Sequence, residues 1–420
     1  MIVPSYIFSG RFLNRSTVTI PQTFSAFRHY NYRLWFAGQL ISLIGTWMQN
    51  TAQGYLVYTL TGSAAYLGYL GFVSGIPSWL FMLYGGVVAD RVSRRTLMII
   101  TQSVMMVLAF VLAGLVFAGV VQPWQIVVMA FLLGIANAFD MPARQSFVLE
   151  LVSREDMTNA IAMNATMFNV GVIVGPAIAG VTYALLGPAW CFTINGLSFI
   201  AVIIALAMMR IKPMPPVAPH ATAFSALKDS LRYVKIDNLV QTLIISVLVL
   251  NVFGFGLTTL MPAWAVSVLG GDVTTNGLLL SARGIGALIG GLTIAALGGR
   301  KRGKMWSISS FALPLALIIF AAVRLLPVAL VVMAGIGFSL IAVMNNSNAM
   351  VQSRVPDELR GRVMALYSLM MMGGMPIGAL MVGVLAERTS EPIAVVAGAV
   401  VLLIFAGWIY LRKPAIRQME

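Results

Sequence analysis

The sequence predicts an all-α integral membrane protein with twelve transmembrane helices in two pseudo-symmetric six-helix bundles. Three observations lead there. Of the 420 residues, 59% are hydrophobic and 10% charged, with mean hydropathy +0.91. A water-soluble domain carries about 25% charged residues, so lipid must be the main solvent of this chain. The apolar runs are about 20 residues long and continuous, which selects helices over the period-two strands of a barrel. Finally, the net charge of +14 is unevenly spread. With loops assigned to alternate sides, 24 of the 27 Lys and Arg share the side of the two tails. That bias places both termini in the cytoplasm. It accounts for the basic composition through the lipid bilayer, with no nucleic acid.

Residues 1–32 lack the apolar stretch of a signal peptide and read as a cytoplasmic tail. The N-terminal bundle covers 33–210, with spans at 34–59, 64–89, 96–119, 123–145, 159–186 and 189–210. The first span carries "QLISLIGTWMQNTAQ", in which Gln39, Ser42, Thr46, Gln49, Asn50 and Gln53 fall within an arc of about 100°. Residues 211–238 interrupt the pattern. "IKPMPPVAPH" cannot continue a helix. Phe224, Leu227, Leu231 and Val234 then share one face, flanked by Lys228, Arg232 and Lys235. This is a short helix on the membrane surface or an ordinary solvated linker. The C-terminal bundle covers 239–411, with spans at 239–268, 275–298, 305–323, 327–350, 362–386 and 392–411, and a cytoplasmic tail, 412–420, follows. A shift of 203 residues lays "LVSREDMTNAIAM" over "RVPDELRGRVMAL" and sets Gly171, Gly175 and Gly180 on Gly374, Gly378 and Gly383. This faint repeat favours two related bundles.

Polar residues are not shared evenly. Asn, Gln and charged residues well inside the spans number ten in spans 1, 4, 7 and 10, three in spans 2, 5, 8 and 11, and two in spans 3, 6, 9 and 12. A polar group in hydrocarbon is costly, so the enrichment marks a common hydrated cavity. Gln39, Thr46, Gln49, Asn50, Gln53, Asn137, Asn251, Arg283 and Asn345 are its candidate lining. The alternative is hydrogen bonding between helices without a cavity. Asp140 is the only acid placed inside the apolar zone and is the candidate proton carrier; Arg144 at i+4 offers the alternative of a fixed salt bridge. Arg283 either attracts an anionic or acceptor-rich substrate or snorkels to the outer interface near Asp272. The 26 Met, including "LMMMGGMP", suit an adaptable apolar pocket or plain packing.

One cysteine, Cys191, excludes an intrachain disulfide, and with His29 and His220 it makes no metal constellation. "GGRKRGKM" has phosphate-loop spacing at Gly298, Gly303 and Lys304, but Met305 replaces the magnesium-binding hydroxyl and a transmembrane helix precedes it. No cofactor is expected, and no compact nucleophile–base set points to an enzyme.

After the second span, "GGVVADRVSRRTL" resembles the loop 2–3 signature of the major facilitator superfamily. Gly86, Asp90, Arg91, Arg94 and Arg95 match it, and Ser93 stands where the family usually has Gly. In the fifth span, "NVGVIVGPAIAG" resembles the signature of the superfamily's antiporters through Gly171, Gly175, Pro176 and Gly180; small-residue packing of any origin gives the same pattern. The run "FDMPARQSFVLELVSREDMTNAIAMN" is similar to the branch containing the enterobactin exporter and drug- and metal-resistance efflux proteins. The resemblance covers roughly residues 28–411. It implies that Gly86 lets two helices approach and that Asp90 pairs with Arg94 and faces the N-terminus of the eleventh helix. It also implies a monomeric secondary transporter working by alternating access. The expected activity is proton-coupled antiport that exports small amphipathic organic molecules of drug or siderophore type. Uptake or facilitated diffusion by the same fold is the alternative, and a polytopic enzyme or receptor a remote one.

Overall fold

The structure is a computed structural model and describes residues 24–211, 231–298 and 301–419. The first 23 residues and most of the linker, with Phe224, Leu227, Lys228 and His220, lie outside the described residues. In the N-terminal half the long helices are α1 (Tyr30–Thr61), α2 (Ala64–Arg91), α3 (Arg94–Phe117), α4 (Pro123–Val148), α5 (Met157–Leu186) and α6 (Pro188–Met208). The C-terminal half has α7 (Asn238–Val268), α8 (Val273–Ala296), α9 (Arg302–Ala322), α10 (Leu326–Arg354), α11 (Asp357–Arg388) and α12 (Glu391–Arg412).

Ten of these are long and apolar enough to cross a membrane, and α2 makes an eleventh if its two parts, bent by 54°, form one span. The first helix falls short on hydropathy because Gln39, Gln49, Asn50 and Gln53 dilute its apolar residues. The boundaries have local causes. The left-handed Gly62 ends α1, and Ser63 caps α2 by accepting the Tyr66 N–H. Ser93 caps α3 through the Thr96 N–H, which gives the residue in the usual glycine position a helix-starting role. Asp237 and Asp272 cap α7 and α8. The span expected at 239–268 stands as one unit, Asn238–Val268, but its helix is interrupted. A helix over Asn238–Phe253 gives way to short turns and then to a π-helix, Trp264–Val268. Gly254, Gly256 and Pro262 occupy the break, where backbone freedom and a missing N–H weaken the ladder.

Within the N-terminal half α1 packs on α5 and α6, α2 on α4, and α3 on α4 and α6. The C-terminal half repeats this with α7 on α11, α8 on α10, and α9 on α10 and α12. Two seams, α2 with α11 and α5 with α8, join the halves and are related by the same pseudo-two-fold. The glycines of the 203-residue repeat make equivalent contacts. A Cβ on Gly171 would stand 3.0 Å from Trp47 Cδ1 of α1, and one on Gly374 would stand 2.9 Å from Asn251 Cβ of α7. At the seams, a Cβ on Gly180 would stand 2.9 Å from Thr274 Cα, and one on Gly383 would stand 2.6 Å from Gly68 Cα. Small residues let these backbones touch. Gly86 does not fit that role: a side chain there would meet nothing within 4 Å, and the close approach of α2 to Ala138 is made by its neighbour Gly85.

Each helix reverses direction, so both termini lie at one pole. There the short helix Ser25–Arg28 is tied to α5 by the Ala26 N–H donating to Asn159 Oδ1 (3.0 Å) and by His29 against Asp156 (2.8 Å). The described end of the linker, 231–236, is helical, with Val234 buried in the C-terminal core and Leu231 exposed.

Candidate functional site

A cavity of about 350 Å³ lies between the halves, within the size range of small-molecule sites. Its wall comes from α1 (Trp47, Asn50, Gln53), α2 (Leu70, Ser74), α4 (Leu133, Asn137), α5 (Val172, Pro176), α7 (Thr258, Thr259, Pro262) and α8 (Asn276, Leu280, Arg283). Toward the pole opposite the termini both seams are shut. Besides the glycine contacts, Glu387 of α11 accepts from Ser63 Oγ (2.9 Å) and from the Ala65 N–H (3.2 Å), so it caps α2 across the interface. Ser281 Oγ donates to the Ile173 carbonyl (2.6 Å) across the other seam. Toward the terminal pole, Asn137 also borders a second space of about 220 Å³ with Ser78, Met82, Met141, Arg144 and Met372.

Four of the nine expected lining residues stand in the wall: Asn50, Gln53, Asn137 and Arg283. Gln53 Nε2 also donates to the Ile126 carbonyl of α4 (3.3 Å). The other five do not line it. Gln49 is turned to α6, where it accepts from Asn195 Nδ2 (2.7 Å). Asn251 is buried against α11 and donates to the Val247 carbonyl (2.7 Å). Gln39 is buried in the N-terminal half, Thr46 is half-buried, and Asn345 is exposed. The polar stripe of α1 is therefore divided, one edge bonding to α6 and the other facing the cavity. α10 contributes nothing to this wall, while α2, α5 and α8 all do. A helical arc shows which residues share a face but not which neighbour the face meets.

The break in α7 shapes the site. It brings Thr258 and Thr259 into the wall and positions Arg283, whose Nη1 donates to Thr258 Oγ1 (3.3 Å) and whose guanidinium lies 5.8 Å from the Phe255 ring centre. Arg283 does not turn back to Asp272, which spends its carboxylate on capping α8. Sequence reasoning missed Asn276, because it stood at the edge of the expected eighth span. Its spacing from Leu280 and Arg283, i, i+4 and i+7, was the available signal.

Asp140 lies outside the cavity wall, fully buried between α4 and α3. It accepts from Thr101 Oγ1 (2.8 Å) and Gln102 Nε2 (3.0 Å) and pairs with Arg144 (3.2 Å). In the loop 2–3 signature Arg94 joins Glu150 to Asp90, 3.6 Å away, and Arg95 Nη2 donates to the Ala207 carbonyl of α6 (2.8 Å). Asp90 is 61% exposed and its ion-pair partner among the described residues is Arg94, not the start of α11; Arg91 is exposed. Gly171 and Gly175 pack α5 on α1, whereas Pro176 and Gly180 sit on the seam with α8.

Comparison with known proteins agrees with this architecture. The family described as transmembrane secretion effector matches residues 21–420. The chain is 25% identical over 361 residues to the staphyloferrin A transporter of Staphylococcus aureus, covering 84% of this chain and 89% of that protein. It is 26% identical over 379 residues to the multidrug efflux pump Tap of Mycolicibacterium fortuitum, covering 87% and 91%. Among solved structures, a bacterial homologue of the human lysosomal transporter Spinster, inward-facing and unoccupied, shares the fold with a TM-score of 0.70 at 14% identity, covering 95% of this chain and 97% of that one. The chain belongs to the transmembrane secretion effector family, within the efflux branch of the major facilitator superfamily.

Proposed function

We propose that this chain exports small amphipathic organic molecules across a bacterial cytoplasmic membrane in exchange for protons, by alternating access. The observation that carries the reading is the cavity between the halves, shut at one pole and followed by a second space toward the other. The placement of 24 of 27 basic residues on the side of the tails supports both termini being cytoplasmic, which makes this the inward-facing state. The outward-facing state then requires the α2–α11 and α5–α8 seams to part at the outer pole and close at the inner one. The two seams are built alike, so one rocking motion opens both.

Asp140 is the proposed proton site. Among the described residues it is the one charged side chain that is fully buried, and it follows cavity-lining Asn137 by one helical turn. Its partner Arg144 borders the inner space. Protonation of Asp140 releases Arg144, so proton occupancy and the shape of the inner entrance are linked. One proton crossing about 150 mV releases roughly 3.5 kcal/mol, sufficient for roughly a 300-fold gradient of a neutral solute.

The test is a panel of drugs, siderophores and metal ions added to inverted vesicles, read as dissipation of an imposed pH gradient. A substrate-dependent proton flux is expected for wild type and its loss in Asp140→Asn, with passive exchange retained. Substrate movement without proton flux would leave a facilitator.

A further inference from the structure

We infer that the cavity between the halves selects anions: small amphipathic molecules with a carboxylate or similar compact acidic group, held by Arg283 and read two turns away by Asn276. The inference rests on the proposed reading of that cavity as the substrate site.

Charge is the first support. Arg283 is the one charged side chain among the lining residues. Among the described residues no carboxylate forms an ion pair with it. A guanidinium in a low-dielectric wall with no counter-ion is costly to keep. A ligand acid relieves that cost and accepts a paired fork of hydrogen bonds. A cationic ligand meets a like charge there, with no carboxylate in the wall to offset it.

The second support is preorganisation. Thr258 and Phe255, both at the break in α7, hold one edge and one face of the guanidinium. Its Nε is buried and has no hydrogen-bond partner. The third is Asn276. It is 0% exposed in the cavity wall, and neither its Nδ2 nor its Oδ1 has a partner. Buried amides are nearly always satisfied, so an orphaned one beside a cavity points to a ligand. Asn276, Leu280 and Arg283 line one face of α8, with Asn276 and Arg283 roughly 10 Å apart along the axis. The face fits a molecule with an acidic end at Arg283, an apolar body along Leu280 and a hydrogen-bonding group at Asn276.

The experiment uses the full-length protein in nanodiscs and three matched probes: 1-naphthaleneacetate, 1-naphthaleneacetamide and 1-naphthylethylamine. Calorimetric titration should find the acetate bound about tenfold more tightly than the acetamide, and the amine most weakly. Arg283→Gln should erase the preference for the acid. Arg283→Lys, which keeps the charge and loses the fork, should retain part of it and carries the test if the Gln variant does not fold. Asn276→Ala should weaken a fourth probe, 6-hydroxy-2-naphthaleneacetate, whose hydroxyl supplies the group read by Asn276, and leave 1-naphthaleneacetate unchanged. Equal affinity for acid and amide in wild type, no binding of the acetate, or a preference that survives Arg283→Gln overturns the inference. Transport separates the two readings: export of cations and neutral compounds with rejection of acids in the vesicle panel removes the anion assignment and leaves the exporter standing. Transport of nothing in the panel removes the exporter reading itself.

Discussion

In the C-terminal half the buried hydrophobic side chains form one continuous cluster, from Val240 through the stacked Trp264 and Phe320 to Ile409. In the N-terminal half they fall into separate clusters, one around Trp35 and Phe147, one around Met48 and Phe192, and one around Met105 and Phe199. Polar layers stand between them. Gln49, Asn195 and Ser198 form one, and Asp140 with Thr101 and Gln102 forms the other. The residues 203 positions after Asp140 and Arg144 are Val343 and Ser347. Val343 lies in the continuous core, and Ser347 accepts from Trp306 Nε1 (2.7 Å). The repeat thus survives where helices touch through glycine and has diverged at the buried Asp140–Arg144 pair. Backbone approach tolerates no substitute, whereas an interior position accepts any side chain whose polar atoms are satisfied. The lone cavity arginine shows the opposite asymmetry: α8 carries Arg283, while α2, its counterpart, has no charge before Asp90.

The comparison can be broken most strongly at Asp140. Asp140→Asn leaves Arg144 without its partner; Arg144 is a quarter exposed, so the cost lies at or below the low end of the about 3–5 kcal/mol of a fully buried pair. The double change Asp140→Val with Arg144→Ser copies the C-terminal arrangement. It should recover part of the thermal stability in detergent, since the buried Gln102 amide still lacks its acceptor, while proton exchange stays lost. If the double variant still exchanges protons, the coupling site lies elsewhere.

The seams should respond alike in the two halves. Gly383→Leu and Gly180→Leu both drive a side chain into facing backbone, an overpacking penalty of about 1–3 kcal/mol against the state closed at the outer pole. Cysteine labelling from the outside should rise equally in both. Unequal responses would show that one seam leads the motion. A smaller effect is expected at Glu387, whose cap on α2 is worth about 0.5–2 kcal/mol. Glu387→Ala should raise outer accessibility modestly, and Glu387→Gln, which keeps an acceptor, should lie closer to wild type.

The smallest effect concerns the terminal pole of the N-terminal half. Hydrogen bonds from Ser25 and then His29 hold the Asp156 carboxyl below its ordinary value. A lowered folded pKa gives a contribution that is complete above the unfolded value of about 3.9 and disappears as pH falls through the folded one. The protection of the Ala26 amide, its exchange relative to the intrinsic rate at each pH, should therefore hold down to about pH 4 and fall below it. Asp156→Asn should remove that acid step.

Much of this molecule was legible without coordinates. Long apolar runs and three glycines in register sufficed for the membrane class and the two related halves, and the one-sided basic loops carry the proposed orientation. Each is a local or statistical property that lipid enforces on any chain. The capping residues Ser63, Ser93, Asp237 and Asp272 are likewise short-range. The candidate site was only half legible. Periodicity put Gln49 and Asn50 on one stripe, but only packing decided that Gln49 meets Asn195 while Asn50 meets the cavity. The break in α7, which aims Arg283, depends on how Gly254, Gly256 and Pro262 are resolved against α11 and α8, and no run of hydropathy encodes that. The sequence by itself determined which segments enter the membrane, because transfer from water is summed residue by residue along the chain. Tertiary structure alone decided which polar atoms are spent on neighbours and which are left facing a cavity, because that depends on partners far away in sequence.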